Sequence, residues 1–206
     1  MEIKQPQKFH KWFSKLDNVT SAIVFARLLV VSMGSLGLWR GVGKGVSELK
    51  IDHGPEYRVY FTFRGGELIL LLVGGDKRHQ NEDIKKAQEM AQCPIEDCEN
   101  FFEGNNDENA KSKKMDVDDF IRDDKSAAVF LNEMIKLDSG DGSMVRLAIG
   151  NIIKCHNVSE IAKTACVSRA SLYSAFNKDG NPSFDMVQKV LAAMGLGIQF
   201  VPLENR

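Results

Sequence analysis

The sequence predicts an α+β domain followed by a mainly α domain, with an acidic linker between them. Three observations lead to this fold class. Apolar residues recur at helical spacing near the N-terminus and then alternate with a period of two, a stretch without periodicity follows, and helical spacing returns in the last 90 or so residues. A chain of 206 residues is long enough for two small domains, and 43% hydrophobic content is ordinary for globular proteins.

The first domain, residues 1–92, is predicted to begin with a helical hairpin that ends before Gly34. Its apolar positions repeat every three or four residues, first Phe9, Trp12, Phe13 and Leu16, then Val19, Ile23, Ala26 and Val30. The glycine-rich residues 41–45 are expected to form a tight loop before a strand. A closing helix with Ile84, Ala87 and Ala91 is expected to complete the domain.

A small antiparallel sheet is predicted between the hairpin and the closing helix. Leu49 and Ile51 alternate with Glu48 and Lys50, and residues 57–64 continue the alternation, so each strand is expected to have one apolar face and one polar face. A turn at residues 64–67 leads into the apolar run of residues 68–73, which is typical of a strand buried on both sides.

Residues 93–114 are predicted to be a linker, because they are rich in Asn, Asp, Glu and Lys and lack periodicity. The second domain, residues 115–206, is predicted to contain five or six short helices and a last strand at residues 197–201. Lys and Arg outnumber Asp and Glu by 14 to 10 in residues 1–92, whereas acidic residues lead by 11 to 4 in residues 93–124. A mildly basic first domain suits a polyanionic partner.

The apolar run of residues 68–73 is too short to span a bilayer, and the first residues lack the apolar core of a signal peptide. We therefore expect a cytoplasmic protein without a membrane partner.

The polar face of the predicted sheet carries a candidate catalytic site. Three candidate residues lie on the polar faces of the two strands and two follow the buried strand, namely Lys50, Arg58, Tyr60, Lys77 and His79. RNA cleavage through the 2'-hydroxyl needs a proton acceptor, cations for the phosphorane and a proton donor for the leaving oxygen, and this set offers all three. The alternative interpretation is a solvated sheet face with ordinary surface charges.

The second domain contains the pattern VSEIAKTACVSRASLYSAF, which predicts a helix, a turn and a second helix within about twenty residues. Ile161, Ala162, Leu172 and Ala175 are expected to face inward, with Ser168 as the cap of the second helix. The candidate DNA-binding residues are Ser168, Arg169, Tyr173, Ser174, Asn177 and Lys178. The alternative is a plain helical hairpin with polar outer residues.

The stretch GVSELKIDHGPEYRVYF, followed by LLLVGGDKRHQNEDIKKA, resembles the addiction-module killer proteins of the RelE/ParE superfamily, in its HigB-like branch. The resemblance covers residues 5–92. It implies a metal-independent endoribonuclease without cofactors, an mRNA interferase that cuts mRNA on the ribosome, with Lys50, Arg58, Tyr60 and Lys77 at motif positions. The chain departs from this pattern at Glu56, where glycine is usual, and in the sequence KRHQ, so the role of His79 is a local hypothesis.

Residues 115–201 resemble the HigA-like addiction-module antidote proteins with a Cro/repressor-type helix-turn-helix, most specifically in SRASLY and GNPSF. Cys166 stands where the turn usually has glycine. A left-handed backbone at a residue with a Cβ costs about 1 kcal/mol. We expect the Cys166 thiol to be small and buried rather than a redox switch.

Together the two resemblances imply a fused type II toxin-antitoxin module. In this interpretation the antitoxin neutralises the toxin in cis or between chains, binds operator DNA as a homodimer and represses its own transcription. One alternative is a transcription regulator with a catalytically inactive toxin-like domain. Another is a ParE-type toxin that targets DNA gyrase.

Overall fold

The computed structural model describes residues 2–5, 7–34, 39–54, 56–65, 67–74, 79–92, 113–115, 117, 120–177 and 179–202. The chain divides into two compact units, Met1–Asp116 and Val117–Arg206, called here the first and second unit. Residues 93–112 of the predicted linker lie outside the described residues. Within the described ranges, no helix has the length and apolar content to cross a membrane.

The first unit contains a mixed sheet of six strands, which is larger than the predicted antiparallel sheet. The strands are β1 (Glu2–Gln5), β2 (Trp39–Gly43), β3 (Val46–Ile51), β4 (Tyr57–Arg64), β5 (Glu67–Gly74) and β6 (Lys113–Lys114), in the order β2-β3-β4-β5-β1-β6. Neighbours from β2 to β5 are antiparallel, β1 joins β5 in parallel, and β6 runs antiparallel to β1. The sequence did not predict β1 and β6, because strands of four and two residues are too short to show a period.

Three helices, α1 (Gln7–Phe13), α2 (Asn18–Ser32) and α3 (Gln80–Gln92), accompany the sheet at the predicted places. Asp17 begins α2 as its N-cap, with a side chain that accepts hydrogen bonds from the backbone N–H groups of Val19 and Thr20, both at 3.0 Å. The Trp12 ring of α1 packs edge-on against Tyr57 of β4, at 5.4 Å between ring centroids.

The predicted loop at residues 41–45 is wrong for its first three residues, which belong to β2. Lys44 and Gly45 alone form the turn, with φ of 51° and 75°, a two-residue hairpin connection in which both residues are left-handed. Strand β2 is held by cross-strand pairs that include Arg40 opposite Glu48. Opposite charges facing each other across two strands favour this pairing. The glycines of residues 41–45 favoured a loop in the sequence analysis, so the strand was missed.

The prediction that β3 and β4 have one exposed polar face is also wrong. Helix α3 covers that face, where Val46 and Tyr60 form a buried cluster with Ala87, Met90 and Ala91. As a result Glu48, Arg58 and Tyr60 are at most 5% exposed. Tyr60 and Thr62 follow the alternation of the strand, but an amphipathic helix converts their side of the sheet into a second core.

The second unit contains five helices within its described residues. They are α4 (Asp124–Leu137), α5 (Ser143–Cys155), α6 (Val158–Thr164), α7 (Arg169–Ala175) and α8 (Phe184–Ala193). The predicted strand at residues 197–201 is wrong, because these residues have no ladder partner among the described residues. Phe200 and Val201 are 84% and 70% exposed, so β propensity alone did not make a strand there.

Candidate nucleic-acid interfaces

Glu48 of β3 is the centre of a buried polar network in the first unit. Its Oε1 accepts hydrogen bonds from the Tyr60 hydroxyl at 3.0 Å and from Gln80 Nε2 at 2.6 Å, and its Oε2 accepts one from Arg40 Nε at 2.5 Å. The side chain is only 4% exposed. A carboxylate buried to this degree is stable as an anion only when its oxygens are hydrogen-bonded, and here both are.

The network fixes the charge state of its members. Burial by itself raises the pKa of Glu48, but the hydrogen bonds from Arg40, Gln80 and Tyr60 outweigh it and leave the pKa below its usual value. Burial, reinforced by the negative charge of Glu48, raises the pKa of Tyr60 well above its ordinary range. Tyr60 therefore remains a neutral phenol whose hydroxyl donates a hydrogen bond to Glu48. The prediction that Tyr60 is exposed is wrong, because its side chain is fully buried.

Arg58 of β4 lies inside the same network rather than on the surface. Its Nε is 3.8 Å from Glu48 Oε1, and its side chain is 6% exposed. On the outer side its guanidinium meets Glu56, with Nη2 3.7 Å from Oε2 and Nη1 donating to the backbone oxygen at 3.5 Å. The predicted exposed cation is thus a buried cation with acidic neighbours on both sides.

Lys50 is the member of the predicted site that reaches solvent on the strands, with its side chain 47% exposed. It lies directly opposite Arg58 in the β3–β4 register. Its Nζ is 2.5 Å from Asp52 Oδ1 and 3.6 Å from Glu56 Oε1. The hydrogen bond with Asp52 raises the pKa of Lys50, which therefore stays a cation at neutral pH.

His79 is exposed and immediately precedes α3. Its neighbour Gln80 reaches Glu48, which fixes the start of the helix beside the network. Burial raises the pKa of Asp83, one turn further along, and electrostatic interactions with His79 and Lys86 partly offset this effect. Lys77, the remaining predicted catalytic residue, lies outside the described residues.

Sequence reasoning identified Glu48 only as a polar-face residue and missed Gln80, Asp52 and Glu56 as partners of the site. It also missed Arg40 as a partner of Glu48. The ring of Trp39, beside Arg40 on β2, packs against Phe61 and Phe63, each at 5.9 Å between ring centroids. The opposite charges of Arg40 and Glu48, eight residues apart across a tight turn, were the signal that could have identified the pair.

The network predicts a pH-dependent loss of stability in the first unit. Because the pKa of Glu48 is lower in the folded state, its contribution is complete above the ordinary glutamate pKa of about 4.3 and is lost as the pH falls through the folded value. We expect Glu48→Gln to lower the free energy of unfolding by about 2 kcal/mol at neutral pH, a typical loss for a hydrogen-bonded charge. We also expect the variant to flatten the acid dependence.

Urea unfolding of the full chain at a series of pH values between about 3 and 7 measures this effect. Glu82→Gln, at an exposed carboxylate in the first turn of α3, is the matched control. If Glu48→Gln and Glu82→Gln changed stability alike at every pH, the proposed role of the Glu48 charge would be wrong.

The second candidate interface is the pair α6 and α7 with the turn between them. Asn157 caps α6 by accepting from the backbone of Ser159 at 3.1 Å, and Ser168 Oγ caps α7 by accepting from Ser171 N at 3.0 Å. The turn closes with a hydrogen bond from Val167 N to the oxygen of Ala162 at 2.9 Å. Cys166 within it has φ of 55°, the left-handed conformation for which glycine is usual.

The helix α7 turns an apolar side inward and a polar side outward. Leu172 is fully buried, Ala175 is half-buried, and Phe176 just after the helix is also buried. Five of the six predicted DNA-binding residues belong to the described part of the chain, and all five are exposed, namely Ser168, Arg169, Tyr173, Ser174 and Asn177. Lys178 lies outside the described residues. The expectation of a buried Cys166 is wrong, because its side chain is exposed beside the turn.

A close approach between α5 and the end of α7 fixes this outward face. A Cβ placed on Gly150 of α5 would lie 2.2 Å from the backbone oxygen of Phe176, far inside van der Waals contact. Glycine is therefore required at a position where a helix interior would otherwise favour alanine. Sequence reasoning missed Gly150, because helical spacing shows which residues are apolar and not how near two helices come.

Two known protein families match separate parts of the chain. Residues 11–92 match the family described as "Phage derived protein Gp49-like (DUF891)", and residues 111–202 match the family described as "Probable addiction module antidote protein". The chain belongs to the addiction-module proteins, with a Gp49-like toxin region followed by an antidote region, and it is a toxin-antitoxin module.

Two uncharacterized proteins of Haemophilus influenzae are similar to parts of the chain. One is 42% identical over 93 residues, which cover 45% of this chain and 94% of the relative. The other is 34% identical over 87 residues, which cover 42% of this chain and 88% of the relative. No solved structure matches the chain significantly.

Proposed function

We propose that the first unit is an mRNA interferase that cuts mRNA on the ribosome, and that the second unit both neutralises it and binds operator DNA. The observation that carries the proposal is the presence of a Gp49-like toxin region and an antidote region in one chain, with Lys50 and His79 exposed beside the buried Arg58 network. An assay of mRNA cleavage in a translating extract, with the first unit separated from the second, tests this proposal.

The chemistry of this proposal assigns a role to each predicted catalytic residue. Lys50 binds the phosphate and, with Arg58 behind it, stabilises the negative charge that develops on the phosphorane. His79 exchanges protons with the attacking 2'-hydroxyl or the leaving oxygen. Tyr60 positions Glu48, which in turn holds Arg58. Lys77 keeps its predicted role as a second phosphate ligand. The reaction uses no metal or other cofactor.

For the second unit we propose that α7 enters the major groove as a recognition helix and that a homodimer binds a palindromic operator. Support comes from the exposed side of α7, where Arg169 begins the helix and Tyr173, Ser174 and Asn177 follow at helical spacing. Half-sites about one helical turn apart fit two such helices related by a twofold axis.

We expect Arg169→Ala to weaken operator binding by about 1 to 3 kcal/mol and to relax sequence preference at one base pair of each half-site, since arginine pairs bidentately with guanine. Lys178→Ala is the contrasting variant, because a phosphate contact should weaken all sequences alike and flatten the salt dependence. Binding of the full chain to the DNA upstream of its own coding sequence, measured against scrambled DNA, gives both values. If wild type, Arg169→Ala and Lys178→Ala bound the upstream DNA and the scrambled DNA with equal affinity, α7 would not be part of the DNA interface.

A second candidate function is a transcription regulator whose toxin-like unit no longer cuts RNA. The ion pairs that occupy Lys50 and the burial of Arg58 and Tyr60 favour it. Operator binding combined with a complete absence of RNA cleavage by the separated first unit would support this candidate.

A further inference from the structure

Glu56 occupies a backbone position that suits glycine and not glutamate. Its φ is 56°, in the left-handed region, directly before β4. A residue with a Cβ is strained in this conformation, and a long side chain gains no packing from it here because the Glu56 side chain is 55% exposed.

The Glu56 carboxylate faces the two cations of the candidate RNA site. Its Oε1 is 3.6 Å from Lys50 Nζ, and its Oε2 is 3.7 Å from Arg58 Nη2, so one carboxylate bridges both residues of a directly opposed pair. Asp52 adds a second carboxylate on Lys50. The outward side of both cations is therefore occupied by acidic groups of the chain itself.

Stability does not account for this glutamate. The ion pair with the exposed Lys50 contributes little to folding, and the pair with the buried Arg58 is long at 3.7 Å, whereas the left-handed backbone at a residue with a Cβ is unfavourable. A bridging carboxylate and an RNA phosphate, in contrast, need the same cationic donors and the same fork of guanidinium hydrogen bonds.

We propose that Glu56 is an internal competitor for the RNA phosphate. It holds Lys50 and Arg58 while the site is empty, and RNA must displace it in order to bind. Glu56 thereby lowers the affinity for free single-stranded RNA, so that productive binding depends on further contacts that a properly presented transcript provides. This inference rests on the proposed RNA-directed function of the first unit.

The test measures the affinity of the full chain for a fluorescent single-stranded RNA of about twenty nucleotides. The chain carries a protease site inserted at Asn106 and is studied intact and cut. We expect Glu56→Gln and Glu56→Gly to bind RNA roughly threefold to tenfold more tightly at low salt, with a slope of log affinity against log salt that is steeper by up to about 0.7. In wild type the displaced Glu56 carboxylate takes up a cation from solution, which offsets part of the counterion release from the RNA phosphates. Glu82→Gln, which also removes an exposed carboxylate, should leave both values unchanged.

Two further variants separate the causes. Glu56→Gly also relieves the left-handed strain and should be more resistant to urea than wild type, whereas Glu56→Gln should not, although both bind RNA alike. In a chain that carries Lys50→Ala, the gain from Glu56→Gln should be smaller than in wild type, because one of the two cations that Glu56 occupies is already absent. If Lys50→Ala weakens RNA binding but Glu56→Gln leaves it at the wild-type value, the competition is overturned and the RNA site stands. If Lys50→Ala has no effect on binding by either the intact or the cut chain, the RNA site itself is wrong.

Discussion

Replacing Gly150 by alanine is expected to destabilise the second unit by about 3 kcal/mol or more. The added Cβ would lie 2.2 Å from the backbone oxygen of Phe176 and 3.3 Å from its carbonyl carbon. A flexible side chain could move away from such a contact, but here the end of α7 itself must shift. Overpacking against a rigid neighbour usually costs 1 to about 3 kcal/mol, and a backbone clash lies at or beyond the upper end.

The sign of this effect makes it diagnostic. An ordinary glycine in a helix gains about 1 kcal/mol when it becomes alanine. Gly197→Ala, outside the helices, is the control for an added methyl group without a clash, because no atom lies within 4 Å of its added Cβ. Urea unfolding of the full chain, followed by circular dichroism, should show an early transition for Gly150→Ala only, together with a loss of operator binding. A stability equal to or above that of wild type would contradict the close approach of α5 and α7.

A loss of about a hundredfold in RNA cleavage is expected for Lys50→Ala in the released first unit, the range that follows when one group that stabilises developing charge is removed. Lys50 suits this test because its side chain is half exposed, so its removal leaves the core intact. Arg58→Ala does not, since Arg58 is buried against Glu48 and its loss would leave the carboxylate without that partner.

The rate is measured by primer extension on mRNA in a translating extract. Lys85→Ala, which removes an exposed cation from α3, is the control and should retain full activity. Cleavage by Lys50→Ala at the wild-type rate, with its stability unchanged, would exclude Lys50 from the site.

The sequence was sufficient to predict those features that local periodicity determines. The helices α2 and α3, the antiparallel pair β4 and β5, and the capped helices α6 and α7 lie at the predicted places. In each case the spacing of apolar residues and a single capping or turn residue decide the local structure.

The burial of Glu48, Arg58 and Tyr60 could not be predicted in the same way. Their strands alternate like those of a half-exposed sheet, and only the packing of α3 makes the polar side a core. The acidic partners of Lys50 depend in turn on the left-handed backbone at Glu56, which places a surface carboxylate over two cations. Sequence motifs identify such residues, but the charge balance of the site depends on their three-dimensional neighbours.

The antidote-family match begins at residue 111 and therefore includes β6 and Met115, which belong to the first unit. Strand β6 pairs with β1, and the Met115 N–H donates to the oxygen of Ile3 at 3.0 Å. Main-chain pairing of this kind is a common mode of protein recognition. Part of the stretch that matches the antidote family is therefore a strand of the sheet in the first unit.

The most direct test of a toxin and its antidote in one chain is mRNA cleavage before and after the chain is cut. A protease site inserted at Asn106 separates the two regions and leaves β6 on the antidote fragment. Two binding regions joined in one chain have an effective concentration of about 1 mM, so even a weak interface between them would be mostly closed in the intact chain. We expect no cleavage by the intact chain and cleavage that appears as the cut chain is diluted at rising salt. The Lys50→Ala chain, cut and diluted in the same way, should show about a hundredth of that activity. Full cleavage by the uncut chain, or none after the regions have separated, would contradict the central claim.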